Sequence, residues 1–247
     1  MKPELIGIVG MGWLAGLLVN YLADVLPWTR RFSQPVCQNC SMKFPWGAYL
    51  FGKACPNCHS TRNIRFWIVQ ISAVIILSAL WLFPPASLEF WAGSILLIYF
   101  GIVAVIDIEH RLVLHPVSLA GLLIGLAFGI WRHGIVYTLL GGAAGFGLML
   151  GLYYLGDLFA RWLAKRRGQE LTEVALGFGD VNLAGIIGLI LGWPGVFAGL
   201  WLAIVFGGIA SLGYVLIQLI AKKYQMFTAI PYAPFLLLGA ILLLFRF

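Results

Sequence analysis

The stretch ALGFGDVNLAGIIGLILGW, residues 175–193, places one carboxylate, Asp180, at the edge of a long apolar run. From Val181 to Trp193 that run contains one polar side chain, Asn182, and no charge. Such a run indicates a membrane-embedded helix, and a carboxylate that enters hydrocarbon is costly. We therefore expect Asp180 to be a functional residue, and the rest of the chain must indicate which function it serves.

The composition indicates an integral membrane protein. Of the 247 residues, 62% are hydrophobic and only 10% are charged, and the mean hydropathy is +0.96. Soluble domains carry about a quarter charged residues, so the chain has little room for a large soluble domain. The first apolar run, from Leu5 to Leu26, lacks a basic n-region and a small-residue cleavage site, so we expect a retained span there.

Apolar runs separated by proline, glycine or charged clusters predict an all-α polytopic membrane helix bundle with about eight transmembrane helices. The predicted spans are 5–27, 66–83, 90–108, 116–131, 135–160, 174–192, 194–221 and 229–246. We expect three regions, namely a first transmembrane helix at 1–27, a small cytoplasmic loop domain at 28–65 and a transmembrane core at 66–247.

The lysines and arginines predict the orientation of the bundle. If residues 28–65 are cytoplasmic, 13 of the 16 basic residues face the cytoplasm. This asymmetry is typical of membrane proteins, and it explains the net charge of +7 without nucleic-acid binding. In this topology the third span ends near Asp107 and the sixth begins near Asp180, so both acids lie near the cytoplasmic boundary of the membrane.

All four cysteines lie in the loop after the first span, as CQNC at residues 37–40 and CPNC at residues 55–58. Two CxxC pairs supply the four thiolates that a tetrahedral Zn²⁺ site uses. Two disulfides are the alternative, but a cytoplasmic loop lies in a reducing compartment. We expect a structural zinc site with the neighbouring His59 outside the ligand set, formed by Cys37, Cys40, Cys55 and Cys58.

Two acids are harder to explain as surface charges. Asp107 ends the uncharged run IYFGIVAVI, residues 98–106, and Asp180 follows ALGFG at 175–179. At matched depth they predict a carboxylate pair that shares a proton, so that one acid serves as base and the other as acid. Water held between them would then attack a peptide carbonyl. The alternative for each aspartate is a helix cap or a pair with a loop arginine.

Simple pairing explains two of the other acids. Asp157 lies four residues before Arg161, which predicts an i,i+4 ion pair. Asp24 ends the first span close to Arg30 and Arg31, so we expect one of these arginines to be its partner.

Gly177 and Gly179 lie just before Asp180. Without side chains, they would let an extended substrate backbone approach the acid and let the chain bend without strain. The alternative is helix packing, because glycine is common in membrane helices. A GxGD sequence alone is a weak signal, but beside a second buried aspartate and a four-cysteine loop it becomes a strong one.

Taken together, these features resemble the bacterial type IV prepilin peptidases, which are GxGD-type intramembrane aspartic endopeptidases. The resemblance rests on GFGD with a partner aspartate, on the paired CxxC motifs and on eight spans. It extends over nearly the whole chain, because three further stretches are similar to the family: GMGWLAGLLVNYLADVLP at 10–27, DIEHR at 107–111 and IPYAPFLLLGA at 230–240.

The resemblance implies a reaction and its residues. The family removes the basic leader of prepilins and pseudopilins at the cytoplasmic face of the bacterial inner membrane, usually after glycine. Many members then methylate the new N-terminus with S-adenosylmethionine. By this resemblance, Asp107 and Asp180 are catalytic, Gly177 and Gly179 form the active-site loop, and the four cysteines bind zinc. The substrate helix would lie in the bilayer with its cleavage point at the boundary.

The chain also departs from the family pattern. It reads LVLHP at 112–116 where the family usually has Ile-Pro-Asp, and Asn182 stands where the family usually has lysine. The segment between the two CxxC pairs is shorter than usual, which bears on methyl transfer. Two alternatives therefore stay open: a catalytically inactive assembly protein of the same family, and a small ion or proton transporter that uses the membrane aspartates.

Overall fold

The computed structural model of the protein describes residues 3–37, 39–167, 177–221 and 231–245. In these residues the chain is helical, and the only β-type pairing is an isolated bridge between Val36 and Lys43. The predicted all-α fold is thus confirmed. The helices are α1 (Pro3–Thr29), α2 (Trp46–Leu50), α3 (Ile64–Leu82), α4 (Phe90–His110), α5 (His115–His133), α6 (Ile135–Arg167), α7 (Phe178–Leu191), α8 (Gly195–Ile220) and α9 (Ala233–Leu244).

Six of these helices are long and apolar enough to cross a membrane, namely α1, α3, α4, α5, α6 and α8. They match the corresponding predicted spans, although α6 continues to Arg167, beyond the predicted end at 160. The protein is therefore a multi-pass membrane protein.

The two remaining predicted spans contain shorter helices. In the described residues, α7 has 14 residues and α9 has 12. Their outer predicted parts, 174–176, 229–230 and 246, lie outside the described residues. At about 1.5 Å per residue, a helix of this length is shorter than the roughly 30 Å hydrocarbon core of a bilayer. Short helices of this kind are stable when other helices pack around them, and α7 is packed in this way by α5, α6, α8 and α9.

The chain divides into two compact units, Met1–Ile106 and Asp107–Arg246. In the first unit α1 packs against α3. The helices come very close at Gly12, where an added Cβ would lie 2.8 Å from the Cα of Val74. Two fully buried polar side chains, Asn20 and Gln70, bridge the pair. The Asn20 amide donates to the carbonyl of Phe66 at 3.2 Å, and the Gln70 amide donates to the carbonyl of Trp13.

Asp24 in the first unit has different partners from the expected Arg30 or Arg31. Its carboxylate accepts a hydrogen bond from Arg65 and forms an ion pair with Arg62, whose nitrogen lies 3.7 Å away. Both partners lie about 40 residues further along the chain, at the end of the cysteine loop and the start of α3. The expectation was wrong because it weighed sequence proximity, whereas helix packing brings Arg62 and Arg65 closer.

In the second unit α7 is the central helix, with contacts to α5, α6, α8 and α9. Every α7 residue from Asp180 to Leu191 is buried except Asn182, which is half-buried. A helix that is apolar on all sides is stable only when protein or lipid surrounds it. Small residues let α6 approach it, since an added Cβ on Gly188 would lie 2.2 Å from the carbonyl oxygen of Gly141.

Candidate metal centre and active site

The two CxxC pairs of the first unit fold into matching turns. The carbonyl of Cys37 accepts the N–H of Ser41 at 2.8 Å, and the carbonyl of Cys55 accepts the N–H of His59 at 2.9 Å. Ser41 and His59 both adopt left-handed backbone, with φ of 56° and 53°. His59 therefore has a backbone role in its turn. The sequence did not predict this role, because glycine or asparagine usually occupies the left-handed position of a turn.

These turns bring the four predicted cysteines together. Their sulfur atoms all lie within 4.8 Å of one another, and each cysteine is a free thiol. The Sγ atoms of Cys37 and Cys58 are 3.6 Å apart, and those of Cys40 and Cys55 are 3.8 Å apart. A tetrahedral Zn²⁺ with bonds of about 2.3 Å has sulfurs about 3.8 Å apart, so the spacing fits such an ion.

The surroundings lower the pKa of two of the four thiols, Cys37 and Cys55, whereas burial and the neighbouring cysteines raise the pKa of Cys58. Backbone N–H groups of Cys58 and Asn57 donate toward Cys55 and lower the pKa of its thiol to about 6. Thiolates are the form that binds metal. Cys37 and Cys55 pack with Phe44 and Tyr49 in a small apolar cluster. The four cysteines thus form a candidate metal site, as the sequence predicted.

Asp107 begins the second unit, in the last turn of α4. Its residue is 4% exposed, and the backbone N–H of Ala233 at the start of α9 donates to its carboxylate. Its Oδ2 atom is buried and has no hydrogen-bond partner among the described residues. Arg111, one turn further on, interacts with the carboxylate electrostatically, but its side chain is exposed. A buried carboxylate oxygen without a partner is unusual, because such atoms normally have one.

Asp180 lies in the first turn of α7 and is also buried, at 9% exposed. Its Oδ2 atom accepts the backbone N–H of Gly177 at 3.3 Å. The carboxylate therefore caps its own helix and lies at the positive end of the helix dipole. A helix cap was the alternative role that the sequence allowed for Asp180, and the structure contains this cap.

The structure brings the two aspartates together within the second unit. Their carboxylates are close enough to interact electrostatically, although Asp107 belongs to α4 and Asp180 to α7. Two carboxylates at one site do not readily carry two negative charges, so the pair favours a shared proton. Two acids that share a proton can exchange it with a water molecule or substrate, which is the chemistry of an acid–base pair.

The two glycines before Asp180 differ in what surrounds them. A Cβ added to Gly179 would lie 2.8 Å from the Cβ of Val113, which is too close. A Cβ added to Gly177 would make an ordinary contact of 3.5 Å with Asp180. Gly177 has φ of −77°, so its backbone does not require glycine. Close packing against Val113 explains Gly179, whereas substrate approach to either glycine stays a prediction.

The start of α9 is a part of this site to which sequence reasoning gave no role. Ala233 contacts Asp107 through its N–H, and the phenol of Tyr232 interacts electrostatically with Asp180. The available signal was the pattern PYAP at 231–234, in which a proline stands at the first turn of a helix. That pattern predicts a helix start but not its neighbours.

Comparisons with known proteins relate the chain to leader peptidases. Residues 93–212 match the model of the type IV leader peptidase family. Over 185 residues, 74% of the chain, the protein is 26% identical to a prepilin leader peptidase/N-methyltransferase of Pectobacterium carotovorum subsp. carotovorum. The chain spans 61% of that relative's length. No solved structure matches the chain.

The matched region contains both aspartates, both glycines and most of the helices around α7. The family resemblance inferred from the sequence is therefore confirmed as a similarity, because residues 93–212, just under half of the chain, match the type IV leader peptidase family.

Proposed function

We propose that the protein is an aspartic endopeptidase that removes the basic leader of prepilins or pseudopilins. One observation carries the proposal: two buried carboxylates, Asp107 and Asp180, interact within one compact unit, and an oxygen of Asp107 has no partner among the described residues. The similarity of residues 93–212 to the type IV leader peptidase family supports the same reaction.

The reaction assigned to the pair is hydrolysis of one peptide bond. The ionised carboxylate removes a proton from water, and the water oxygen attacks the scissile carbonyl carbon. The protonated carboxylate gives its proton to the carbonyl oxygen, so a neutral tetrahedral intermediate forms. When the intermediate collapses, the C–N bond breaks and the departing nitrogen takes a proton from the acid that gained one. A hydroxyl group of the intermediate returns its proton to the other carboxylate as the new carboxyl group forms. The pair returns to its starting state with one shared proton.

The positions of the aspartates fit a substrate of this class. Asp107 lies in the last turn of α4 and Asp180 in the first turn of α7, so both lie at helix ends. We assign these ends to the cytoplasmic face of the bacterial inner membrane, because basic residues are concentrated in loops on that side. A prepilin with a basic leader and an apolar helix would then present its cleavage point at the same depth.

We propose Zn²⁺ as the ion of the cysteine site. Four thiolates leave no open position for water, so the ion would hold the loop fold and take no part in hydrolysis. Metal analysis of the purified protein tests this assignment. One zinc per chain is expected, and the ion should be absent when Cys37 and Cys55 are both replaced by serine.

The decisive experiment for the peptidase is leader cleavage. The protein is co-expressed with a prepilin that carries a basic leader and a Gly-Phe junction, and the product is analysed by mass spectrometry. We expect Asp107→Asn and Asp180→Asn each to lower cleavage about 10²- to 10⁴-fold, the range of one acid–base group. Asparagine keeps the size and the hydrogen-bond acceptor of aspartate, so folding is conserved.

Asp157→Asn is the matched control. Asp157 pairs with Arg161 at 2.7 Å, as the sequence predicted, and the pair is partly exposed on α6. Its replacement should leave cleavage unchanged. Cleavage retained in both single variants of the aspartate pair would contradict the peptidase mechanism. Intact prepilin bound by folded wild-type protein would instead favour the inactive assembly protein.

The same product mass tests the second activity in the relative's name. A methyl group added to the new N-terminus would assign N-methyl transfer from S-adenosylmethionine to this chain. A product without that mass, with the methyl donor supplied, would limit the chain to peptidase activity.

A further inference from the structure

The short helix α2 in the cysteine loop has an inner and an outer side. On the inner side Tyr49 is buried, and its ring lies 6.5 Å from that of Phe66 on α3 between centroids. On the outer side Trp46, Leu50 and the next residue, Phe51, are exposed, and Phe51 is 73% exposed. Trp46 and Leu50 are one helical turn apart and therefore neighbours. We call these three exposed side chains the outer face.

The helix α2 packs against the sides of two spanning helices. The ring of Trp46 lies 5.4 Å from that of Tyr21, which precedes the end of α1 at Thr29 by about 12 Å at 1.5 Å per residue. A Cβ added to Gly52 would lie 3.2 Å from the ring of Trp67, in the first turn of α3. Tyrosine and tryptophan are enriched where helices leave the hydrocarbon of a bilayer. The outer face therefore lies near the depth of the membrane boundary.

The lipid-facing side of α3 begins beside the outer face. Three isoleucines at helical spacing, Ile64, Ile68 and Ile71, are each more than half exposed. On a helix that crosses a membrane, an exposed apolar stripe of this kind faces lipid. Trp67 belongs to the same stripe, because it lies three residues after Ile64 and four before Ile71. Its neighbour Gly52 directly follows the outer face, so the apolar surface continues from α3 onto the cysteine loop.

The charge of the loop indicates what this surface contacts. Residues 28–65 contain six basic residues and no acidic residue. Arg62 and Arg65 contact Asp24 on α1. The other four are exposed, namely Arg30, Arg31, Lys43 and Lys53. Exposed aromatic and basic residues together are typical of segments that lie on anionic membranes. The basic leader of a prepilin would be repelled by the same charges.

We propose that the outer face is a membrane-docking surface that binds anionic phospholipid. Its three apolar side chains enter the layer between headgroups and acyl chains. Lys43 and Lys53 flank the outer face in the sequence and contact the headgroup phosphates. The cysteine loop is then held from two sides, by α1 and α3 through Tyr49 and by lipid through the outer face. This inference does not depend on the peptidase function, because it rests on the spans and the loop alone.

Hydrogen exchange of the full-length protein in lipid nanodiscs tests the contact. Exchange of the amides at 47–53 is compared in phosphatidylcholine and in equal parts of phosphatidylcholine and phosphatidylglycerol. We expect slower exchange in the mixture, because docking removes this short helix from water. Each basic residue near an anionic surface contributes roughly a fivefold factor. Replacing both lysines, Lys43→Gln and Lys53→Gln, should therefore reverse most of the slowing, and high salt should do the same.

Phe51→Ser tests the apolar part of the surface. The side chain is exposed, so the melting temperature in detergent should not change, whereas exchange at 47–53 should become faster in both lipid compositions. Arg161→Gln is the matched control for charge, since Arg161 is an exposed arginine on α6 in the second unit. It should leave exchange at 47–53 unchanged.

Two results would overturn the inference. One is equal exchange at 47–53 in the two lipid compositions, with no effect of the lysine replacements or of Phe51→Ser. The other comes from photo-cross-linking with p-benzoylphenylalanine at position 51, in nanodiscs that also contain prepilin. Adducts with phospholipid are expected, and adducts with prepilin alone would assign the outer face to the substrate. The same probe in place of Ile71 is the positive control for lipid adducts.

Discussion

Asp24 in the first unit and Asp107 in the second are both largely buried carboxylates on membrane helices, but their surroundings differ. Asp24 contacts two arginines, Arg62 and Arg65, and accepts the hydroxyl of Tyr49 at 2.6 Å. Asp107 accepts one backbone N–H, and its Oδ2 has no partner among the described residues. One acid is neutralised by its own chain, and the other is left able to bind water or substrate.

The difference distinguishes an acid with a structural role from an acid that can react with a ligand. Around Asp24, the guanidinium of Arg62 also lies over the rings of Tyr49 at 3.9 Å and Phe44 at 4.6 Å, so the network joins the cysteine loop to α1. Both oxygens of Asp24 have partners in this network, so the network adds rigidity and leaves no carboxylate oxygen free to react. An acid whose protein partners are incomplete keeps lone pairs for a ligand, at some cost in stability.

The largest effect should come from removal of the metal. Structural zinc contributes about 10–16 kcal/mol to the folding of small metal-bound domains. A chelator that strips the ion should therefore expose the loop between Cys37 and Cys58 to limited proteolysis. His59→Asn is the control, because asparagine tolerates the left-handed backbone at that position, and it should keep its metal. A loop equally resistant with and without metal would contradict the structural role.

Exchanging each acid for asparagine should separate stability from activity. Asp24→Asn leaves two arginines without their counter-charge, so we expect a loss of roughly 3 kcal/mol in stability. Asp107→Asn should lower leader cleavage about 10²- to 10⁴-fold with little change in stability. Melting temperature and cleavage rate, measured on the same detergent-purified samples, check both expectations. Equal melting temperatures of Asp107→Asn and Asp24→Asn would contradict the structural role assigned to Asp24 alone.

Gly179→Ala should disturb the aspartate site through packing alone. The new methyl group would lie 2.8 Å from the Cβ of Val113, and such overpacking costs about 1–3 kcal/mol. Because Gly179 is adjacent to Asp180, we expect cleavage to fall as well. Gly177→Ala is the matched variant with ordinary contacts, and its effect on both measurements should be smaller. Equal effects of the two alanines would exclude Val113 as the cause.

The smallest effect should come from Tyr49→Phe in the first unit. Burial, and then the nearby Asp24 carboxylate, raise the pKa of Tyr49, so its phenol keeps its proton and donates to Asp24. Loss of this hydrogen bond should cost about 1–2 kcal/mol. Cleavage per folded molecule should not change. Asp180→Asn is expected to do the reverse, with lower cleavage and little change in stability. Equal changes in stability and cleavage for the two variants would contradict the contrast between the two units.

The fold was largely predictable because hydrocarbon imposes a simple rule on sequence. Apolar length predicted α1, α3, α4, α5, α6 and α8 within a few residues at most ends. The short α2 at Trp46–Leu50 was not predicted, because five residues between two metal turns carry no periodic pattern. The length of α7 was also overestimated, since composition cannot distinguish a helix surrounded by protein from one surrounded by lipid.

The site was predictable where its residues carry unusual chemistry. Paired CxxC motifs and carboxylates in apolar runs are rare enough to indicate a metal site and a functional pair. Tyr232 and Ala233 carry no such signal, because a tyrosine and an alanine in an apolar stretch read as ordinary packing. The partners of Asp24 were not predicted for a related reason, because several arginines near the loop could each form an ion pair with it.

The sequence by itself determined that this chain is a helical membrane protein with a four-thiolate loop and two acids at the ends of apolar runs. Those properties depend on residue type and local spacing, on which solvation by lipid or water acts directly. Only the tertiary structure decided which groups meet: Arg62 and Arg65 at Asp24, Val113 at Gly179, and the start of α9 at both aspartates. These contacts join residues far apart in the chain, and close packing between helices selects them.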